Sequence, residues 1–216
     1  MLIVAYIVTA LAAYLLGSIP TGYLVAKTRG LDIRSVGSGN IGATNVFRVL
    51  GVPAGVFVLV ADGLKGFAAC TWLEDVVLRL CEQPLEGAEA FRVVAGVCAV
   101  LGHSFSCWLR FKGGKGIATS AGVYFALAPL SAGIALTTWA VVFALSRYVS
   151  LASIAAAVAL PAAVWLTPNG LALRIVTTAV GLLAIYKHRA NIQRLATGTE
   201  HRVSGKKTSP STGTTS

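Results

Sequence analysis

Charge is scarce in this sequence. Asp, Glu, Lys and Arg make up 12% of its 216 residues, against roughly 25% in a soluble domain. Hydrophobic residues reach 56% and mean hydropathy is +0.75. This excludes a single water-soluble core and predicts an all-α polytopic membrane protein. Acids are the scarcer sign: eight, against 18 Lys and Arg, for a formal net charge of +10. In a soluble chain that balance would point to nucleic acid. Here the cations sit in short segments between apolar runs, where the positive-inside rule accounts for them, and no nucleic-acid partner is expected. The four cysteines, Cys70, Cys81, Cys98 and Cys107, form no C-x-x-C pair and do not pair with histidines, so redox or metal chemistry is not expected of them. No His/Asp/Glu cluster has ligand spacing either, so neither a metal nor a cofactor is expected. The first apolar run begins almost at Met1, without a basic segment ahead of it or a clear cleavage site, and reads as a retained helix.

What the chain has in abundance is apolar runs. They cover residues 2–26, 51–73, 91–109, 117–146, 149–167 and 171–187, and a crossing needs about 20 residues. Pro20 and Gly22 predict a kink in the first. Lys27, Arg29, Arg34 and Arg48 against Asp32 place the next segment in the cytoplasm. Residues 74–89, which hold most of the acids, fall outside because the cation-rich segments flank them. The uncharged run 117–146 is either one long tilted helix, giving six spans, or two helices broken near Pro129, giving seven. Arg147 and the basic stretch from His188 favour seven spans, with the N-terminus outside and the C-terminus cytoplasmic. Residues 117–128 would then make only about 18 Å of helix against a core of about 30 Å, a short helix that neighbours must shelter. Residues 1–200 are expected to form one integral membrane domain. Residues 201–216 read as a disordered polar tail.

Three segments are too polar or too glycine-rich to be spans. Residues 36–50, VGSGNIGATNVFRVL, bring Ser38, Gly39, Asn40, Gly42, Thr44, Asn45 and Arg48. Glycines let backbone N–H groups approach an oxyanion, short polar side chains add donors, and Arg offers a planar fork. A helix opening near Thr44 would add its dipole. Residues 110–119 centre on Phe111-Lys112-Gly113-Gly114-Lys115-Gly116; two lysines framed by three glycines suit a phosphate, although the spacing is not that of a Walker A loop. Residues 188–200, HRANIQRLATGTE, put His188 and Asn191 on one helical face. Each segment also has a plain reading: a hydrated loop with an N-cap, a positive-inside loop, a juxtamembrane basic helix. With seven spans all three lie on one face, gathering Arg48, Lys112, Lys115 and His188, with no carboxylate to repel an anion except Glu200. Ser150 and Ser153 form a weaker cluster with Arg147 on that side. Asp62 is the only acid inside a predicted span, and Lys65 one turn on reads as its structural partner. His103 reads as a packing residue.

Together GSGNIGATNVFR, GHSFSCWLRFKGGKGIATSAG and KHRANIQRLATGTE closely resemble the three signature segments of the bacterial acyl-phosphate:glycerol-3-phosphate acyltransferase family. The resemblance spans nearly the whole chain up to about residue 200. It implies a seven-helix protein of the bacterial inner membrane with its site at the cytoplasmic face. It implies transfer of a fatty acyl group from acyl phosphate to the 1-hydroxyl of glycerol 3-phosphate, giving lysophosphatidic acid and phosphate at the start of phospholipid synthesis. Ser38, Arg48, Lys115, His188 and Asn191 match positions the family uses around the two substrates. Thr44, Asn45, Lys112, Gly113, Gly114 and Gly116 match the surrounding cradle, Gly39, Asn40 and Gly42 fall in the first signature, and Ser150 or Ser153 is a weaker addition. Beyond Arg202 nothing matches. Membrane lipid is the expected surrounding, and nothing demands a protein partner.

The residues suit that chemistry independently. Acyl phosphate is already activated, so no nucleophilic side chain or acyl-enzyme is needed. Two anions must be held together and the developing oxyanion stabilised, which cations and backbone donors do. The sequence has no H-x-x-x-x-D, the pattern of the other large class of glycerolipid acyltransferases, which disfavours acyl-CoA or acyl-carrier-protein donors. The rival reading is a small transporter of a phosphorylated anion; it predicts inverted repeats and a midplane site, and the two halves show no convincing repeat.

Overall fold

The computed structural model describes residues 2–82 and 88–203, and every regular element in it is helical. The first run is two helices, α1 (Leu2–Ser18) and α2 (Thr21–Lys27). They part at Pro20, which has no N–H to give. After the loop at 28–42 come α3 (Ala43–Leu50) and α4 (Val52–Ala68), joined by Gly51 at φ 86°. A π-helical stretch, Ala69–Leu73, carries α4 into α5 (Glu74–Leu80). The acidic segment was expected to leave the helix at residue 74. It stays helical because Leu78 is buried in a cluster with Ala5 and Phe91 and Val77 beside it is buried as well. Next are α6 (Glu89–Ser104), α7 (Ile117–Leu127), α8 (Pro129–Ser146), α9 (Val149–Leu166), α10 (Leu171–Lys187) and α11 (Arg189–Ala196). The 117–146 run is thus two helices, parted at Ala128 with Pro129 opening the second. Arg147, left-handed at φ 63°, ends α8.

Five helical stretches among the described residues are long and apolar enough to cross a membrane. There are six if α10 and α11, which meet at 54°, count as one. The seventh expected crossing rests on α7, whose 11 residues fall short of a bilayer core. The helices pack through small residues, as membrane helices do where backbones must approach. A Cβ on Gly17 would run into the Ala99 carbonyl of α6, and one on Gly122 into the Gly63 carbonyl of α4. α1 therefore lies close on α6, and α7 on α4. Tyr124, Leu160, Val164, Leu173 and Val180 tie α7, α9 and α10 into one core. Ile33, Ile41, Val46 and Val58 anchor the 28–42 loop and α3 against α4. The short α7 is thereby sheltered at the centre, with its N-terminal end beside the glycine-lysine loop.

Candidate active site

Asn45 builds the first loop. Its Oδ1 accepts the Ser38 N–H at 2.8 Å, and its Nδ2 donates to the carbonyls of Ile33 at 3.2 Å and Val36 at 3.0 Å. Gly37 is left-handed at φ +62°, and a Cβ there would meet Asn45 Oδ1, so the chain winds tightly round this amide. Asn40 Oδ1 accepts the Gly42 N–H at 2.9 Å. Both amides serve the loop itself, which leaves Ser38, Thr44 and Arg48 as its groups on the open side. Arg48 has no ion pair among the described residues and keeps its fork for an incoming anion.

The second loop is held from beneath. Gly114 N–H donates to the His103 carbonyl at 3.0 Å. A Cβ on Gly113 would strike that carbonyl, and one on Gly114 the His103 ring. These two glycines are close-packing residues against the end of α6. Gly116, left-handed at φ +81°, caps α7. Lys115 is thereby turned inward, and its Nζ donates to Asn191 Oδ1. Burial, with Arg194 and Arg48 nearby, pulls its pKa down to about 8, against the opposing pull of Glu200.

The third segment supplies the far wall. His188, beyond the last residue of α10, gives its Nδ1–H to the Ala184 carbonyl at 2.8 Å. A carbonyl only accepts, so Nδ1 carries the proton and Nε2 holds the lone pair. Burial and the Lys115 ammonium lower its pKa to about 4, so the ring is neutral at pH 7. Glu200 sits among donors: its Oε1 accepts from Ser150 Oγ at 2.9 Å and Asn191 Nδ2 at 2.8 Å, and its Oε2 from Arg194 Nε at 2.7 Å. These bonds hold its carboxyl below the usual range despite partial burial. Past Glu200, the Val203 N–H donates to the Arg147 carbonyl at 2.9 Å, laying residues 200–203 across the corner between α8 and α9.

One cavity of about 550 Å³ joins these walls. Its polar end holds Ser38, Thr44, Arg48, Lys115, His188 and Asn191. From there an apolar arm runs between α7, α8, α9 and α10, walled by small residues such as Ala132, Ala135, Ala156 and Gly181 and floored by Tyr124, Leu160 and Val180. From Ser150 to Leu160, both on the wall, α9 advances about 15 Å. Leu59, Phe125 and Leu136 line the arm yet are 46%, 41% and 53% exposed, so it is open sideways between α4, α7 and α8. Such a space can hold an anionic head against cations and an alkyl chain in the arm.

Of the expected residues, Ser38, Asn40, Gly42, Thr44, Asn45, Arg48, Lys115, Gly116, Ser150, Ser153, His188 and Asn191 line this cavity. Gly39, Gly113, Gly114 and Lys112 do not, and Lys112 is exposed. Ser153 donates to the Val149 carbonyl at 2.8 Å and accepts from Trp139 Nε1 at 3.2 Å. The Asp62–Lys65 pair forms at 2.9 Å. Glu200, the one carboxylate expected on this face, reaches the cavity; Asp62 reaches it too, and a cation neutralises each. Arg194 is the contributor that sequence reasoning missed, although its spacing of three from Asn191 put it on the same face of α11.

The chain matches the sequence model of the family described as glycerol-3-phosphate acyltransferase over residues 7–198. It is 46% identical over 195 residues to the glycerol-3-phosphate acyltransferase of Geotalea daltonii, covering 90% of this chain and 96% of that one. With the enzyme of that name from Aquifex aeolicus the identity is 44% over 193 residues, covering 88% and 95%. Among solved structures it is similar to PlsY (YgiH), an integral membrane glycerol 3-phosphate acyltransferase. The glycerol 3-phosphate form superposes with a TM-score of 0.84 at 39% identity over 92% of this chain and 96% of that chain. The lysophosphatidic acid form gives 0.81 at 38%, over 92% and 95%.

Proposed function

Because the chain belongs to the glycerol-3-phosphate acyltransferase family, we propose that it passes a fatty acyl group from acyl phosphate to the 1-hydroxyl of glycerol 3-phosphate. The observation that carries this is the single cavity with a cationic end and an apolar arm. The hydroxyl oxygen attacks the acyl carbon, the carbonyl oxygen takes the charge, and the anhydride C–O bond breaks. The hydroxyl proton leaves with the phosphate, so lysophosphatidic acid and hydrogen phosphate balance the equation. Arg48, Lys115 and the Ser38 and Thr44 hydroxyls hold the two phosphoryl groups together against their repulsion. Lys115, fixed by Asn191, is the cation between the two loops. Transfer is direct: Ser153 is engaged by its own helix, and the carboxylate that faces Ser150, Glu200, is held below the usual range by Asn191 and Arg194 and is too weak a base to activate a serine. The neutral His188 offers its Nε2 lone pair to the cavity. A base of so low a pKa suits orienting the hydroxyl, with substrate phosphate taking the proton.

The same reading places the protein in the bacterial inner membrane with seven crossings, α7 being the short one, N-terminus outside and the polar end at the cytoplasmic face. The positive-inside rule supports it: Lys27, Arg29, Arg110, Lys112, Arg189 and Arg194 all flank that end. The test uses purified protein with glycerol 3-phosphate and palmitoyl phosphate, following phosphate and lysophosphatidic acid together, with palmitoyl-CoA in parallel. Matched release from acyl phosphate alone, lost in Arg48→Ala, supports the reading. Folded protein that makes no lysophosphatidic acid from either donor overturns it and turns attention to anion transport.

A further inference from the structure

Beneath the glycine-lysine loop lies a buried cluster that the mechanism has not used. Lys65 Nζ stands 2.9 Å from Asp62 Oδ1, 3.0 Å from the Ile19 carbonyl and 3.0 Å from His103 Nδ1. Thr21 adds its hydroxyl to Asp62 Oδ1 at 3.1 Å. Asp62, Lys65 and His103 are 2%, 7% and 5% exposed. An ammonium has three donors and no acceptor, and here each donor has one partner. Asp62 needs that cation, since a buried carboxylate without one is costly. Facing a donor, His103 Nδ1 can only accept, so the ring is neutral and its single proton sits on Nε2.

That Nε2–H has no hydrogen-bond partner among the described residues. His103 and Asp62 both line the cavity. The Gly114 backbone lies against Nε2, where any Cβ would collide with it, and the next residue is Lys115. We propose that His103 is a further substrate-contacting residue, its Nε2–H held in one tautomer by the Asp62–Lys65 pair and donated to an oxygen of bound substrate. The acceptor is a phosphoryl or acyl oxygen, and the inference rests on the acyl-transfer reading above. Such a donor adds a hydrogen bond without adding charge or a labile proton, which suits an oxygen whose charge grows during reaction.

His103→Asn is the discriminating variant: its Oδ1 can still accept from Lys65, but nothing replaces the Nε2 donor. If His103 only satisfies Lys65, activity survives. If it touches substrate, kcat/KM falls roughly 10- to 100-fold, the loss expected for one hydrogen bond to a charged acceptor, at unchanged Tm. A rise in KM for glycerol 3-phosphate or for palmitoyl phosphate identifies the source of the oxygen, and a fall in kcat alone identifies the acyl oxygen. A folded variant within twofold of wild type in both constants overturns the proposal. Should the variant fail to fold, nitrogen-15 spectra of histidine-labelled wild type decide. Protonated Nε2 shifting on saturation with glycerol 3-phosphate or palmitoyl phosphate supports the contact; an Nδ1-protonated tautomer, or no shift with either, refutes it. Wild type that binds glycerol 3-phosphate with such a shift yet makes no lysophosphatidic acid would sink the reaction and leave the donor standing.

Discussion

Lys115 should set the alkaline limb of activity. Its ordinary value near 10.5 is drawn down to about 8 by burial and by Arg194 and Arg48. At 1.36 kcal/mol per pH unit this corresponds to ~3 kcal/mol against the folded, charged form. The unfolded chain keeps the proton to near 10.5 while the folded one releases it at about 8. Between these values the unfolded state binds more protons, so stability rises with pH; at pH 7 both states are protonated and the cost is present in full. Activity runs the other way, because the neutral amine no longer attracts phosphate. We expect kcat/KM for glycerol 3-phosphate to be level up to about pH 8 and then to fall about tenfold per pH unit. A bound dianion favours the ammonium, so the limb in kcat should lie higher. Lys115→Arg keeps its charge throughout, and should lose both the limb and the gain in Tm above pH 8. Parallel pH–rate and pH–melting profiles of the two proteins check this. An identical limb in wild type and Lys115→Arg would refute the assignment.

Arg48→Ala should cost on the order of 100- to 1,000-fold in kcat/KM, whereas His188→Gln should keep appreciable activity; equal losses in folded protein would make His188 a true base. Asn45→Ala removes the centre of the first loop and should cost about 1–3 kcal/mol, seen as a lower Tm, together with a higher KM for glycerol 3-phosphate as Ser38 loses its anchor. Ala135→Phe fills the apolar arm without touching the polar end. The ratio of kcat/KM for palmitoyl over octanoyl phosphate should fall, and an unchanged ratio would place the chain elsewhere.

The polar segments were legible because membrane spans leave little reason for glycine, asparagine and lysine to gather, so those that do stand out. The break at Pro20, the opening of α3 and the division before Pro129 followed from local rules. What stayed hidden was tertiary. That Asn45 faces inward depends on Ile33 and Val36 returning past it. Gly113 and Gly114 looked like a cradle, but their need for space comes from His103, ten and eleven residues earlier. Glu200 read as a charge to keep away from an anion, since three donors from α9 and α11 cannot be seen converging on it. The acidic segment read as loop because its charges outweigh the buried Val77 and Leu78. Counting crossings fails for the same reason: an 11-residue helix becomes tenable only inside its neighbours.

The sideways opening beside Leu59, Phe125 and Leu136 bears on kinetics. Moving a palmitoyl chain through water would cost roughly 0.8 kcal/mol per methylene, on the order of 10 kcal/mol in all, which lowers the concentration available from solution by roughly 10 million-fold. A chain that slides between bilayer and arm avoids that barrier in both directions. The two substrates are then counted in different units. Glycerol 3-phosphate arrives from bulk solution as a molarity, and its acyl partner arrives as a mole fraction of the surrounding lipid. Adding inert lipid or detergent at fixed enzyme should slow the reaction by surface dilution alone, and the product is delivered into the membrane it helps to build.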